Sequence, residues 1–499
     1  MNDILPYVYY SLPWLFVIGL SIATVIGIAV GVVWPRWLVY PYLLVFFWIN
    51  STSYGSLAVF SSRSIYSRGS GVLFFGLVLW AMLGAWLCAR VASGFGRHPA
   101  PACDLRPWFW GWTALLAGHV AVGFVKGVSL AASLAPSGFS NIVWMAPLIS
   151  LLLLAFRTRE QAIALAHFIL LAGLGRALFG LGRWVVSGGD PNNVYANMNA
   201  LQIRLTFFDI NDSLMCTMAF AIAAVTLFQA SPPALDKWWR GVCWLTLGAT
   251  ALCVVLSYRR TAWVGLLLAC SVIVLRLPPR ARLQWLAAGV PLVGATLAWV
   301  AVRRMDGASL AGTGAGARAE AGESGAGVGG LLSDMQSHRF GPESERVLEL
   351  KLALADFLAH PLAGIGTWGR YHGYGAISWQ NSPDGCLFLH SGLLHIALKS
   401  GLPGLILLAG TILTFVACAR RALRVLPPAL MGLGVAGVAG LAFMIPDLLV
   451  GTPFPQVRTT QMLALCLALP YVALACMHAS ALEPARRVAA PACPQPVPA

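Results

Sequence analysis

Uncharged apolar runs of roughly 20 residues recur along the chain, and short polar connectors separate them. A run of this length can cross the hydrocarbon core of a bilayer as an α-helix. The stretch 13–60 is broken at Trp34-Pro35-Arg36, so it forms either two spans or one span with a shallow re-entrant piece. The pattern predicts an all-α integral membrane protein with twelve or thirteen transmembrane helices. These spans are 13–34, 37–60, 70–90, 108–131, 139–156, 161–184, 209–230, 240–258, 262–276, 283–302, 392–416, 428–452 and 458–479.

One segment between these spans is long and polar enough to fold outside a membrane. Its part at 307–330 is rich in Gly and Ala, which predicts a flexible stretch. Its part at 342–360 has the pattern of a helix, and Pro361 ends it. A helix this short and this charged is expected to lie on the membrane surface or on the outer face of the bundle. Its apolar stripe consists of Val347, Leu350, Leu354, Phe357 and Leu358, and its opposite face carries Arg346, Glu349, Ala353 and Asp356.

Lys and Arg collect in alternate connectors, and this sets the orientation of the bundle. The six basic connectors all fall on one side, which is therefore predicted to be cytoplasmic. They are Arg90–Arg106, Arg157–Arg159, Lys237–Arg240, Arg276–Arg282, Arg420–Arg424 and Arg486–Arg487. The outer side receives Ser61–Gly69, Pro136–Phe139, Val186–Phe208, Ser257–Ala262, the long loop and Gly451–Arg458.

Four parts follow from this layout. Residues 1–302 are the N-terminal part of the transmembrane bundle, and 303–391 are a large periplasmic loop. Residues 392–479 are the C-terminal transmembrane helices, and 480–499 are a Pro/Ala-rich tail that is predicted to be disordered and cytoplasmic.

Composition excludes several classes of protein. With 58% hydrophobic and 10% charged residues, the chain is not a soluble protein. The net charge of +15 sits in clusters between spans, which is typical of topology signals and of contact with anionic membrane lipids rather than with nucleic acid. Most of the eleven cysteines lie inside apolar runs and none forms a C-x-x-C pair, so neither a metal site nor a disulfide framework is indicated.

Four arginines lie on the predicted outer side, where the sequence offers no common structural role for them: Arg204, Arg259, Arg260 and Arg346. One reading is that such side chains reach lipid headgroups. However, positive charge is disfavoured in short translocated connectors, and charged groups near the bilayer are costly and usually functional. The planar guanidinium suits a bidentate oxyanion such as phosphate, so these residues are candidate phosphate ligands.

Acidic residues number only 18, and the chain has no D-x-D motif to hold a divalent ion. Arginine side chains alone, without a metal ion, would therefore neutralise the charge of a pyrophosphate ligand. Asp447 lies inside an apolar run and is expected to be a buried group with its hydrogen bonds satisfied.

Among the nine histidines, His390 stands at the outer mouth of a predicted span. His390 and His395 are five residues apart, so they do not form an i, i+4 metal pair. Because imidazole ionises near neutral pH, His390 is a candidate general base. The alternative is that it only ties the long loop to the bundle.

From Asn199 to Gly404 the chain resembles the O-antigen ligase and polymerase superfamily of bacterial envelope proteins. The resemblance lies in the order of short motifs, with a His-Pro-x-x-Gly-x-Gly element and a His-x-x-x-Leu element as its later members. The matching residues are Arg204, Asn211, Ser257, Arg260, Arg346, His360, Pro361, Gly364, Gly366, His390, Leu394, Gly401 and Gly404. The chain departs from the pattern at Arg259, at Ser391, where the family usually has Asn, and at Lys399, which is often acidic.

This resemblance implies a C-type glycosyltransferase-like fold, in which a helical periplasmic cap covers the bundle. It also implies a metal-independent glycosyltransferase with no cofactor. The enzyme would move polysaccharide from undecaprenyl pyrophosphate to lipid A–core oligosaccharide, at the periplasmic face of the bacterial inner membrane. Arg204, Arg259, Arg260 and Arg346 would bind the pyrophosphate, and His390 would take the proton from the attacking hydroxyl, giving inversion.

Three alternatives remain open. An O-antigen polymerase or a protein O-oligosaccharyltransferase of the same superfamily would share the donor site and differ in the acceptor. A lipid transporter or flippase would do no covalent chemistry, but the chain lacks the paired, interrupted half-chain repeats that are typical of many transporters.

Overall fold

The computed structural model describes residues 18–19, 21–22, 25–49, 77–95, 102–190, 205–229, 236–287, 342–377 and 389–489. In this part of the chain the fold is all-helical, with no strand. The helices that enter the argument are α1 Val25–Val33, α2 Arg36–Trp48, α3 Leu77–Phe95, α4 Arg106–Val125, α5 Leu130–Ser133, α6 Ser140–Val143, α7 Met145–Ala155, α8 Arg159–Val186, α9 Ile210–Phe228, α10 Lys237–Val255, α11 Arg260–Val274, α12 Pro342–Ala359, α13 Gly392–Val425, α14 Pro428–Phe443, α15 Ile445–Val450 and α16 Val457–Ala489.

Within the described residues, seven helices are long and apolar enough to cross a membrane, or eight if the bent pair α1 and α2 counts as one span. These helices coincide with predicted spans, which supports a membrane protein. The total of twelve or thirteen spans stays a prediction, as do the four-part division and the flexible stretch at 307–330, which lies outside the described residues. The last helix continues to Ala489, into the segment predicted as a disordered tail.

The axis of the bundle is α9, a helix whose side chains are almost all buried. It packs against α8, α10, α11 and α14, so apolar side chains from four helices surround it. Asp209 begins the helix by accepting the backbone N–H of Asn211, as an N-cap residue does. The outer end of the most buried helix is therefore polar, and it leads directly into the candidate site.

The interruption that the sequence shows at Trp34-Pro35 is a bend of 111° between α1 and α2. A helix ends with unpaired carbonyl groups, which normally need donors. At the end of α2 these donors are buried arginines: Arg458 donates to the carbonyls of Phe46 and Phe47, and Arg176 donates to the carbonyl of Trp48. The sharp bend leaves α2 ending inside the protein, against the same arginines that line the base of the site.

The connectors predicted for the outer side meet at one end of the bundle. Hydrogen bonds join Asp190 to Leu205, Thr206 to Leu256, and the Asn141 amide to the carbonyls of Phe454 and Pro455. At the other end of the same helices, Arg421 pairs with Asp104 at 2.6 Å, which links two of the basic connectors. The alternation of basic and non-basic connectors therefore corresponds to two physical ends, as the charge pattern predicts.

Helix α12, the cap helix, lies over the outer end of α13. It turns its polar face inward, because Glu349 and Ala353 are fully buried. Much of its apolar stripe faces away from the protein, with Leu354 46% and Leu358 67% exposed. A helix that buries its polar face and exposes its apolar face suits a membrane interface, which is where the sequence predicts it.

The His-Pro-x-x-Gly-x-Gly turn fastens the cap helix to a break in α13. Gly401 interrupts α13 with φ 66°, and the turn fills the gap: Leu402 donates to the carbonyl of Pro361, and Ile365 donates to the carbonyl of Leu398. Gly364, at φ 62°, packs so closely that a Cβ would lie 2.4 Å from the Leu398 carbonyl oxygen. Glycine is needed at both positions for left-handed backbone and for close approach. This junction fixes the cap helix relative to the start of α13.

Candidate active site

The central pair of the site is His390 and Glu349. Glu349 Oε2 accepts the backbone N–H of His390 at 3.0 Å and lies 3.0 Å from its Nδ1. An ionised carboxylate only accepts hydrogen bonds, so Nδ1 carries a proton and donates it to Glu349. In a neutral ring, Nε2 then carries the lone pair. The Glu349 side chain is fully buried and that of His390 is 18% exposed, as expected for a fixed carboxylate behind an accessible imidazole.

The residues that follow His390 hold it at the mouth of α13. Ser391 is the N-cap residue of α13, and its hydroxyl accepts the N–H of Leu394 at 3.3 Å. Serine in place of the usual asparagine therefore keeps the capping role. His395 points elsewhere: it is fully buried, and its Nε2 lies 2.9 Å from the carbonyl of Gly138. This histidine joins α13 to the connector Pro136–Phe139, and its Nε2 is directed to that connector.

Tyr371 closes the inner side of the cap helix. It packs with Ala353, Leu389 and Leu398 in a small apolar cluster. Burial, and then the nearby Glu349 carboxylate, raise the pKa of Tyr371, so its phenol is neutral over the physiological range. A neutral, apolar neighbourhood strengthens the interaction between Glu349 and His390, because little solvent screens it.

Arg346 lies one helical turn before Glu349 on the cap helix. It is half-buried, and its Nε has no hydrogen-bond partner among the residues that the structure describes. Buried donors are normally satisfied, so an orphaned guanidinium N–H beside an open site points to a ligand that accepts hydrogen bonds. An oxyanion matches this donor in both charge and geometry.

The turn Ser257–Arg260 brings two more arginines to the same end of the bundle. The Ser257 hydroxyl donates to the Val254 carbonyl, and Tyr258 then adopts φ 52°, a conformation that non-glycine residues rarely take. This reversal starts α11 at Arg260. The Arg259 guanidinium donates to the Phe208 carbonyl and lies over the Phe208 ring, 5.5 Å from its centroid. The turn therefore presents its cations next to the polar end of α9.

Asp447 is a buried carboxylate near these groups. Its carboxylate is 4% exposed and lies within electrostatic range of Arg259, Asp209, His390 and Arg346. The burial that the sequence predicts is found, but the expected hydrogen bonds are not: among the described residues the carboxylate makes neither a hydrogen bond nor an ion pair. Arginines from two separate segments and the candidate base therefore lie within electrostatic range of one buried carboxylate.

Behind the site lies a neutral network of four buried charges. Arg458 pairs with Asp209 at 2.9 Å and with Asp212 at 2.6 Å, and Arg176 pairs with both oxygens of Asp212. Two cations balance two anions, so this network satisfies itself. It positions the polar end of α9 and the end of α2.

Arg204, the remaining predicted phosphate ligand, lies outside the described residues, which resume at Leu205. Of the other predicted residues, the structure brings Arg259, Arg346 and His390 around Asp447, and it places Arg260 in the same turn as Arg259. Lys399, a departure from the family pattern, is buried and donates to the carbonyl of Gly369 at 2.5 Å. It secures the junction beneath the cap helix.

One comparison with known protein families gives a match. A family model described as O-antigen ligase matches residues 245–409. This match supports membership of the O-antigen ligase superfamily. The matched region contains Arg259, Arg260, Arg346, Glu349 and His390, whereas Asp447 and Arg458 follow it. No individual curated protein matches the sequence significantly.

The O-antigen ligase family consists of glycosyltransferase-like enzymes that use lipid-linked polysaccharide, and this is what the match implies. The long apolar helices agree with a multi-pass membrane protein. The motifs that define the superfamily here fall into two physical groups. The glycines and Pro361 build the junction under the cap helix, whereas the arginines and His390 line the site.

Proposed function

We propose that the chain is an O-antigen ligase, which transfers polysaccharide from undecaprenyl pyrophosphate to lipid A–core oligosaccharide at the periplasmic face of the inner membrane. The observation that carries this proposal is the buried Glu349 carboxylate, which orients His390 within range of the charge cluster at Asp447. An oriented imidazole beside phosphate-binding arginines is the arrangement that metal-independent glycosyl transfer requires.

In this mechanism the arginines hold the donor pyrophosphate. Arg346, Arg259 and Arg260 lie at the site, and Arg204 is proposed to join them from the adjacent connector. Their donors face oxygens on which negative charge grows as the glycosidic C–O bond breaks. Arginine serves this purpose without a metal, because its charge is permanent and its planar group binds two oxygens at once.

His390 acts on the acceptor. Its Nε2 takes the proton from the attacking sugar hydroxyl, and the oxygen forms a bond to the anomeric carbon on the face opposite the pyrophosphate. Undecaprenyl pyrophosphate leaves with the bonding electron pair, and the configuration is inverted. Glu349 holds the ring by Nδ1 and stabilises the imidazolium that forms. His390 then releases its proton to solvent.

The cap helix gives both lipid substrates a route to the site. Its exposed apolar positions, among them Val347, Leu354 and Leu358, would rest in the acyl boundary of the outer leaflet. Its buried polar face carries Glu349, so the pyrophosphate and the sugar hydroxyl would meet just above the hydrocarbon. The lipid tails of donor and acceptor would stay in the bilayer.

Deletion of the gene is expected to remove the O-antigen ladder from lipopolysaccharide gels, while lipid-linked O-antigen accumulates. Expression of the wild-type chain should restore the ladder. A product with a single repeat unit would instead indicate a polymerase. Loss of lipid-linked O-antigen from the periplasmic leaflet would indicate a flippase, and an unchanged ladder with unglycosylated envelope proteins would indicate a protein oligosaccharyltransferase.

The orientation can be tested with a matched pair of exposed residues. Ala363, beside the cap helix, and Arg280, in a basic connector, are both exposed. In intact cells, Ala363→Cys is expected to react with a membrane-impermeant thiol reagent above the background of the parental chain, and Arg280→Cys only after permeabilisation. The reverse pattern would place the site in the cytoplasm and contradict the proposed reaction.

A further inference from the structure

The strongest feature that the proposed mechanism leaves unused is the carboxylate of Asp447. It lies in α15, which packs against both α11 and α13, the two helices that begin at Arg260 and just after His390. The side chain folds back over its own chain, because a Cβ at Gly451 would lie 2.1 Å from Asp447 Oδ1. Glycine at 451 therefore makes room for the carboxylate at this place.

A buried carboxylate without a hydrogen bond is costly, and the few that persist usually have a ligand or a catalytic role. Asp447 is only 4% exposed to solvent, and it has no hydrogen-bond or ion-pair partner in the described part of the chain. Arg259 and Arg346 are within electrostatic range but do not contact it. These two arginines therefore do not use the lone pairs of the carboxylate.

The charge of the site limits what Asp447 can bind. A carboxylate repels phosphate, so it does not contact the pyrophosphate itself. Among the described residues no group of three metal-binding side chains is present. The remaining ligand chemistry is a neutral hydrogen-bond donor near the proposed phosphate-binding arginines and the proposed base. In a glycosyl donor, that place belongs to the hydroxyl groups of the sugar joined to the pyrophosphate.

We propose that Asp447 forms a sugar subsite, in which its carboxylate accepts a hydrogen bond from a hydroxyl of the pyrophosphate-linked sugar of the donor. This inference rests on the proposed function. The subsite would align the anomeric carbon between the arginines and His390, and it would favour donors whose first sugar carries that hydroxyl. Asp447 is thus a specificity-determining residue for the donor.

The test asks whether the loss of kcat/KM on removing the Asp447 carboxylate and the loss on removing a hydroxyl of the donor's first sugar depend on each other. Purified enzyme is assayed with short-chain polyprenyl pyrophosphate donors whose first sugar is intact or lacks one hydroxyl in turn. Wild-type kcat/KM is expected to fall about ten- to hundredfold for one deoxy donor, the range for a hydrogen bond to a charged group. Asp447→Ala should show a similar loss with the intact donor and little further loss with that deoxy donor.

Asp356→Asn is a matched control, because this carboxylate also belongs to the cap region but accepts the backbone N–H of His372. It should discriminate among the donors as the wild type does. If Asp447→Ala does not fold, Asp447→Asn replaces it. Its amide oxygen is a weaker, neutral acceptor, so it should show a smaller loss with the intact donor and a smaller difference between the intact and deoxy donors than the wild type. Equal losses with every donor would show that Asp447 only balances the arginines, and the subsite would be wrong. Absence of transfer by the wild-type enzyme would instead contradict the proposed function.

Discussion

His390→Gln is expected to lose transfer by about 10²–10⁴-fold while it still binds the lipid-linked donor, because removal of a general base costs this much and the arginines remain. Glutamine keeps a hydrogen-bonding group that can reach Glu349, so the cap helix should stay in place. Single-turnover transfer and donor binding, measured on the same purified protein, separate the chemical step from affinity.

Glu349→Gln tests the same assignment through the orienting residue. Its amide can donate as well as accept, so it no longer selects the ring form in which Nδ1 carries the proton. A loss of about 10²-fold or more in kcat is expected, by analogy with the carboxylates that orient other catalytic histidines. Glu349→Asp should recover part of the activity, because it restores the acceptor at a shorter reach.

His395→Gln is the control for both variants. His395 is on the same helix and fully buried, but its Nε2 faces the Gly138 carbonyl, which a glutamine amide can also reach. It should retain most of the activity. If His390→Gln behaves like His395→Gln, then His390 only ties the loop to the bundle and the catalytic role is wrong.

The seven long apolar helices in the described residues were predictable because one physical rule dominates them: a helix in lipid must be apolar over about 20 residues. The two ends of the bundle followed from charge for a similar reason, since basic residues collect in alternate connectors. The bend at Trp34-Pro35 was visible as an interruption. Its angle of 111° was not visible. The contacts of Arg458 and Arg176 with the end of α2 were not visible either, because these arginines are distant in sequence.

The site was predictable only where the sequence itself is unusual. Arginines in short outer connectors stand out, and His390 follows a long loop at the mouth of a span. Glu349 does not stand out, because the polar face of its helix also carries Arg346 and Asp356, and periodicity cannot tell which one meets His390. A spacing signal was available: Arg346 and Glu349 are three residues apart and so share a helix face.

Asp447 and Arg458 required the tertiary structure. Each is a charge inside or beside an apolar run, and a sequence cannot show whether such a charge is paired. Arg458 is paired twice and completes a neutral network, whereas Asp447 makes no hydrogen bond among the described residues. The same pattern in the sequence thus led to opposite outcomes in the structure.

Arg346→Ala is expected to reduce transfer by about 10²–10³-fold, the usual cost of removing one preorganised donor to developing charge. The Nε of Arg346 lacks a partner in the described part of the chain, so its loss should leave folding nearly unchanged. Arg346→Lys should recover little, because an ammonium group offers no fork to a pyrophosphate. Arg259→Ala and Arg260→Ala should also lose transfer, and Arg204→Ala is expected to join them.

Arg370→Ala is the matched control. Arg370 is an exposed arginine near the cap helix, and it lies over the Tyr374 ring at 5.0 Å from the centroid. Its removal lowers the local positive charge by the same amount without touching the site, so it should keep transfer close to wild type. If both variants lose equally, the arginines act through net charge alone.

The arginine variants also separate this mechanism from one that uses a metal. If arginine side chains neutralise the pyrophosphate charge, transfer by the purified wild-type enzyme should continue in excess EDTA. Magnesium should then not rescue Arg346→Ala. A divalent ion would bind the same phosphate oxygens and neutralise the same charge, so an enzyme that used one would fail in EDTA and recover with magnesium. Recovery of that kind would contradict the arginine mechanism, even if every arginine variant were inactive.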